Sequence, residues 1–335
     1  MRLAVIGVGR WGRHFARLFA HHPAIELVAL VDHQRSRLQT VATELQLPTT
    51  VRLENDFEQL IRSTELDAVV IATPVTSHFG LIQMALRQGL HVLAEKPLTL
   101  LPSDCLALTQ LARAQGVQLF VDHTYGFHPA VQRGAGAGAI ADLGTLRYGY
   151  ATRSHLGPVR QDVDVLWDLA IHDLAIFNCW LGQRPQQVQA QGQSWLQAGI
   201  ADVVWATLIY SDGFRATCHW SWDNPDKQRR LGVVGDRGTL LLDEMNITAP
   251  LQIYWGESCQ NESGSFAPKN LHSEVLTFPA QEPLQNVCDR FIESIQTGQT
   301  PMIASGQIAT GLVEVLQALT RSLQAGGVVQ TIASQ

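Results

Sequence analysis

Leu3-Ala4-Val5-Ile6-Gly7-Val8-Gly9-Arg10-Trp11-Gly12 joins a short apolar run to a turn with three glycines. A helix-spaced segment follows, with Phe15, Leu18 and Phe19 on one face. The G-x-G-x-x-G pattern is weak by itself, because glycine-rich turns are common. Here a strand pattern precedes it, a helix pattern follows it, and Asp32 stands twenty positions past Gly12 at the end of the next apolar run. Together these features read as a dinucleotide-binding turn. Gly7 permits the tight turn, Gly9 lets the backbone approach a pyrophosphate, and Gly12 lets helix and strand pack closely. The helix N-terminus adds free N–H groups and the positive end of its dipole. Asp32 favours NAD, since a carboxylate accepts hydrogen bonds from a ribose diol and repels a 2′-phosphate. Arg35 and Arg37 follow closely and suit a phosphate, which keeps NADP as the alternative.

Outward from this turn, residues 1–122 alternate strand and helix patterns. Strand-like runs fall at residues 3–6, 26–31, 68–72, 91–94 and 118–121, each short, continuous and rich in Val, Ile, Leu or Ala. Such runs suit strands covered on both faces, so the expectation is α/β: an N-terminal Rossmann domain with a parallel sheet. The pattern then changes. Residues 134–139 are a glycine–alanine stretch that reads as a loose helix end and turn. Strand-like runs at 145–152, 203–210, 215–222 and 238–242 are separated by turns such as Ser211-Asp212-Gly213. Hairpins without intervening helices imply a mostly antiparallel, open sheet. Helix patterns at about 164–181, 284–296 and 305–323 flank these strands. Two domains are therefore expected, an NAD(P)-binding one over 1–122 and an α+β one over 123–335 for substrate and oligomer contacts.

With 335 residues, 46% hydrophobic and only 16% charged, the chain has ample apolar content for two folded domains, which argues against disorder. A net charge of -6 with no lysine or arginine block argues against a nucleic-acid partner. No apolar run reaches the ~18 residues that span a bilayer, and no charged leader precedes the first strand run, so a cytoplasmic location is expected. Cys105, Cys179, Cys218, Cys259 and Cys288 form no C-x-x-C pair and read as idle thiols. No histidine spacing suggests a bound metal.

Two further segments end at carboxyl ends of parallel strands, where open α/β sheets bind ligands. They are Ile71-Ala72-Thr73-Pro74-Val75-Thr76-Ser77-His78 and Gly89-Leu90-His91-Val92-Leu93-Ala94-Glu95-Lys96-Pro97-Leu98. A solvated surface lysine does not explain why Lys96 directly follows an apolar strand; a site lysine does. Further on, Leu166, Ala170, Leu174, Phe177 and Leu181 form an apolar stripe at helical spacing. Asp168 and His172, four apart, stack roughly opposite it. Val165, Trp167, Leu169, Ala175, Ile176, Cys179 and Trp180 make the helix apolar nearly all round, so it is expected to be buried. A buried Asp–His pair needs partners or a purpose: either a mutually satisfied core hydrogen bond or a catalytic role. Asp173 reads as structural, and His219 as a satisfied sheet residue.

The glycine turn, the stretch from Ala72-Thr73-Pro74 through His78 to Glu95-Lys96-Pro97, and Trp167-Asp168-Leu169-Ala170-Ile171-His172-Asp173 resemble the Gfo/Idh/MocA oxidoreductases over nearly the whole chain. The resemblance implies an NAD(P)-dependent alcohol or sugar dehydrogenase, a lysine–proline bond that is often cis, and a homodimer or homotetramer formed through the C-terminal sheet. It implies Lys96, His172 and Asp168 as catalytic residues. Gly7, Gly9, Arg10, Trp11, Gly12, Asp32, His33, Arg37, Thr73, Pro74, His78, Glu95 and Lys96 are the expected cofactor contacts. Lys96, His123, Tyr125, Arg153, Asp168 and His172 are the expected substrate contacts, while His155 and Arg160 are weaker candidates for an anionic group.

The resulting expectation is hydride transfer between nicotinamide and a secondary hydroxyl of a sugar or sugar derivative. His172 acts as general base, a task suited to a side chain with an unperturbed pKa of ~6.5, and Lys96 stabilises the developing alkoxide. The motifs look most like a branch that includes nucleotide-sugar dehydrogenases. Inositols, sugar phosphates and a non-catalytic NAD-binding sensor of the same fold are the alternatives.

Overall fold

The computed structural model describes residues 1–135 and 139–332, so positions 136–138 of the expected glycine–alanine turn lie outside the described residues. Two compact units make up the chain: Met1–Phe127 with Gln281–Val313, and His128–Ala280 with Glu314–Gln335. Among the described residues no helix is long and apolar enough to cross a membrane.

In the first unit, β1 (Arg2–Ile6), β2 (Glu26–Val31), β3 (Arg52–Glu54), β4 (Ala68–Ile71), β5 (His91–Glu95) and β6 (Leu119–Asp122) form one sheet in the order β3-β2-β1-β4-β5-β6. All five pairings are parallel. The connections carry α1 (Gly12–Ala20), α2 (Arg35–Glu44), α3 (Phe57–Ser63), α4 (His78–Arg87) and α5 (Pro102–Gln115). This is the expected parallel α/β sheet, and apart from the short edge strand β3 its strands are buried along almost their whole length. Because every strand points the same way, the segments following β1, β2, β4, β5 and β6 gather at one edge of the sheet.

The second unit holds α6 (Pro129–Ala135), α7 (Ile171–Leu181) and a nine-stranded sheet. Its strands are β7 (Leu146–Leu156), β8 (Gln187–Gln193), β9 (Val203–Ile209), β10 (Arg215–Ser221), β11 (Asp223–Gly235), β12 (Gly238–Asp243), β13 (Leu251–Gln260), β14 (Phe266–Val275) and β15 (Gln330–Thr331). Their order is β14-β13-β12-β11-β7-β10-β9-β8-β15. Among the described residues of this sheet only β7 and β10 pair in parallel; the rest is antiparallel, as expected.

The expected division at residue 122 differs from this grouping. The break falls after Phe127, and α8 (Pro283–Thr297) belongs with the first unit. The physical reason is its apolar face. Leu284, Val287, Cys288, Phe291 and Ile292 are buried in one cluster with Leu3, Phe15, Phe19 and Phe120. Phe291 meets Phe120 edge-on at 5.8 Å, and the Asn286 side-chain amide donates to the Phe127 carbonyl at 3.1 Å. The last helix, α9 (Gly306–Gln324), carries the chain from the first unit into the second.

Candidate cofactor and catalytic residues

The glycine turn has the geometry a diphosphate needs. The Gly7 N–H donates to the Val31 carbonyl at 2.7 Å, and its φ of +85° is a conformation that side chains disfavour. A Cβ on Gly12 would lie 1.7 Å from the Gly7 carbonyl oxygen, so only glycine lets α1 start here. Gly9 has nothing within 4 Å of such a Cβ, which leaves its backbone open to a ligand. No side chain caps α1, so its first N–H groups and its dipole face the turn. These residues fit a dinucleotide. Arg10 lies over the exposed Trp11 ring, 5.9 Å from its centroid, at the rim of the turn.

Asp32 is buried at the end of β2. Its Oδ2 accepts from the Val8 N–H at 3.1 Å and its Oδ1 from the Gln34 N–H at 2.9 Å. Arg37 reaches both oxygens, at 3.2 and 3.1 Å. Burial alone would raise the Asp32 pKa, but the Gln34, Val8 and Arg37 hydrogen bonds outweigh it and hold the carboxyl below its ordinary value. Arg37 therefore grips Asp32, and Arg35 donates to the Leu53 carbonyl. Both arginines, the candidates for a 2′-phosphate, are thus engaged with groups of the protein. His33 lies beside the same carboxylate, 3.4 Å from Oδ1, with its ring largely in solvent.

His78, expected as a cofactor contact, sits between the backbone carbonyls of two segments. Its ring is buried, with Nε2 2.9 Å from the Thr73 carbonyl oxygen and Nδ1 3.1 and 3.2 Å from those of Pro97 and Leu98. It ties the segment after β4 to the segment after β5, while Ser77 braces Thr73 and Pro74 through bonds of 2.8 and 2.7 Å. The Lys96–Pro97 bond is cis. The Lys96 N–H donates to the Glu95 carboxylate at 3.2 Å, and Glu95 pairs in register with Asp122 on β6.

Asp122 is a residue that sequence reasoning passed over. It is fully buried; Oδ1 accepts from the Thr124 hydroxyl at 2.8 Å, and Oδ2 has no hydrogen-bond partner among the described residues. Burial pushes its carboxyl up to about 6, against the pull of Thr124 and the Lys96 charge. The next residue, His123, is buried with Nε2 unpartnered among the described residues, and burial helped by Lys96 pushes it down to about 3. Tyr125 follows, half-buried in a short helical turn over Thr124–Phe127. The only advance signal for Asp122 was an acid at the very end of an apolar strand.

This carboxyl makes stability depend on pH with a definite sign. Its folded value, about 6, lies above the unfolded value, so the fold favours the protonated form. That contribution is complete below about pH 4 and is lost as pH rises through about 6. Asp122→Asn removes the titration. The variant should therefore gain on the order of 2–3 kcal/mol relative to wild type between about pH 4 and about pH 8. Paired melting curves across that range check it; a difference that stays flat overturns the assignment.

In the second unit the Asp164 carboxylate caps a helix start, accepting from the Leu166 and Trp167 N–H groups at 3.1 and 3.2 Å. Residues Leu166–Ala170 then form a π-helical turn before α7 begins, so the expected single α-helix is not regular around Asp168. π turns are rare and often mark functional sites. Asp168 accepts from the Trp222 indole at 3.0 Å and lies 3.5 Å from Arg160, which also pairs with Asp162 at 2.6 Å. His172 is half-buried at the second residue of α7.

Arg153, expected as a substrate contact, lies in a buried ion-pair network. It is buried, and Nε and Nη2 donate to Asp173 Oδ1 at 3.0 and 2.7 Å, with Glu244 3.4 Å away. The Trp220 indole takes Asp173 Oδ2 at 2.7 Å. The network is structural, and breaking one partner of a buried ion pair costs ~3–5 kcal/mol. His219 stacks on Trp205 with centroids 5.6 Å apart, a sheet-face contact. All five cysteines are free thiols, and burial raises Cys105 and Cys179 to about 11.

Residues 1–123 match the family model described as an oxidoreductase family with an NAD-binding Rossmann fold, and residues 141–241 match the GFO/IDH/MocA C-terminal domain. UDP-N-acetylglucosamine 3-dehydrogenase of Acidithiobacillus ferrooxidans is 33% identical over 257 residues, covering 76% of this chain and 77% of the relative. The solved structure of that enzyme superposes with a TM-score of 0.81 at 26% identity, covering 97% of this chain and 98% of the other. The scyllo-inositol 2-dehydrogenase (NAD(+)) of Bacillus subtilis is 26% identical, covering 98% of this chain and 96% of the relative.

Proposed function

We propose that this chain, which belongs to the Gfo/Idh/MocA oxidoreductase family, transfers hydride between NAD and a secondary hydroxyl of a sugar derivative, with a nucleotide sugar as the favoured substrate. The observation that carries the reading is the gathering of the glycine turn, Asp32 and the Glu95-Lys96-Pro97 turn at one edge of the parallel sheet. The nucleotide sugar is supported by the relative that is 33% identical, a UDP-N-acetylglucosamine 3-dehydrogenase.

When bound, NAD supplies the hydride acceptor. In this reading the α1 N-terminus and the Gly9 backbone hold the diphosphate, and Asp32 accepts from the ribose diol. Lys96 donates a hydrogen bond to the reacting oxygen and favours its negative charge. His172 takes the hydroxyl proton, and Asp168 orients the group that receives it. Assembly uses the face of the second sheet that carries exposed Tyr148 and Trp205, with a second copy of the chain as partner; mass measurement in solution is its check.

NADH formation on mixing the protein with NAD and, separately, UDP-N-acetylhexosamines, free hexoses and inositols tests the reading. Turnover with the UDP-sugars is expected. NAD binding without turnover on any of them would mean a sensor, and no NAD binding would end the reading altogether. The cofactor choice has its own test. Asp32→Ser removes the repulsion of a 2′-phosphate and releases Arg37 to pair with one. The preference for NAD over NADP should fall by about tenfold or more, which is ~1.4 kcal/mol. Calorimetric titration showing an unchanged preference would remove Asp32 from the role.

A further inference from the structure

We infer that Trp222 is a positioning residue for Asp168, and that Trp220 and Trp222 together set the phase of the helix carrying Asp168 and His172. Both indoles are fully buried. They stand two positions apart, Trp220 in β10 and Trp222 at the corner between β10 and β11. Each donates its indole N–H to a different aspartate of the same helical segment: Trp220 to Asp173 at 2.7 Å and Trp222 to Asp168 at 3.0 Å.

The spacing of the two pairs matches. Two residues of strand advance about 6.6 Å, and five residues of helix rise about 7.5 Å. The phase does not match in a regular α-helix, where residues five apart point roughly 140° away from each other. The π turn over Leu166–Ala170 takes more residues into one turn and reduces that divergence. Asp168 and Asp173 can then both be reached from one strand. The π turn and the tryptophan pair are thus two parts of one arrangement.

The two ends are not equivalent. Asp173 is held on its other oxygen by Arg153 and lies in the buried network, so it is the anchor. Asp168 keeps partial exposure and has Arg160 3.5 Å from its other oxygen. Trp222 therefore fixes a carboxylate that remains accessible, four residues before His172.

The closing experiment has an arm that needs no turnover. In protein labelled with ¹⁵N at its eight tryptophans, Asp168→Asn should move one indole N–H signal, the one that Trp222→Phe abolishes. The signal abolished by Trp220→Phe should stay in place. If Asp168→Asn leaves the Trp222 signal unmoved, the inference is overturned. If Trp222→Phe does not fold, sequential assignment identifies the signal and the same comparison decides. The second arm rests on the dehydrogenase reading. Trp222→Phe keeps most of the buried ring and loses only the donor, so kcat should fall roughly ten- to a hundredfold with the KM for NAD unchanged. An unchanged kcat overturns the positioning role. Absence of turnover in the wild type counts against the dehydrogenase reading alone, because the indole signals still report on Trp222.

Discussion

Lys96→Ala should lower turnover by about 10²–10³ while leaving NAD affinity within a few-fold of wild type. The first half follows from placement. Lys96 comes directly after β5, its own N–H is tied to Glu95, and its charge is felt by both Asp122 and His123. A fixed cation at a developing alkoxide acts without reorganisation, and removing one such donor typically has an effect of that size. The second half follows from what the substitution leaves intact. The Gly7–Gly12 turn and the Asp32 carboxylate are held by hydrogen bonds with Val31, Val8, Gln34 and Arg37, and the α1 N-terminus has no side-chain cap to lose. Turnover assays paired with calorimetric NAD titration separate the two. A normal rate would make Lys96 a structural residue. A collapse of NAD affinity with proportionate loss of turnover would make it a cofactor contact instead. The variant has one internal marker. Asp122 loses the positive neighbour that pulls its pKa down, so its titration should move further up.

How far the sequence foretold these groups depends on where each partner lies. The Gly7–Gly12 turn and Asp32 were legible because strand, turn, helix and acid follow one another within a single supersecondary unit. The Arg153 pair was not legible, because its charge is visible on a strand while Asp173, twenty residues on, is not marked as its partner. The His78 contacts were hidden in the same way: its two ring nitrogens face carbonyls from segments that only the parallel sheet brings together. The amphipathic pattern of α8 was read correctly as a helix, but periodicity tells which face is apolar and not which core receives it. β8 alternates glutamine with only Val188, Ala190 and Gly192, too little apolar bulk to stand out as a strand, and β14, exposed along its whole length, has no buried face to read. The π turn was hidden for the opposite reason. A segment apolar on nearly every side gives no phase, so an extra residue in one turn leaves no trace in the pattern. Trp222 shares the parity of Ala216, Cys218 and Trp220, which marks it as inward-facing, yet nothing local says that it ends on Asp168.

His172→Asn should remove most of the activity, about 10²–10⁴-fold, and with it the pH dependence of the rate. Only the unprotonated imidazole can accept the proton of a substrate hydroxyl. Oxidation by the wild type should therefore rise with pH through one ionisation. Reduction, which needs the imidazolium as donor, should fall over the same range. Asparagine keeps hydrogen-bonding capacity at a similar size but has no ionisation near neutral pH. Its residual rate should be flat across the window. The half-buried position of His172 at the start of α7 lets the substitution be made without opening the core beneath it, where Leu174 and Phe177 pack. NAD affinity and the melting temperature should change little, which separates a lost base from a damaged fold. Asp168→Asn provides the contrast: an orienting carboxylate should shift the midpoint and lower the rate without flattening the profile. A His172→Asn enzyme that kept both its rate and its pH profile would assign the base to another group, with Lys96 the next to test. Running the profile on Lys96→Ala and His172→Asn side by side decides between them, because only the variant lacking the true base loses the ionisation.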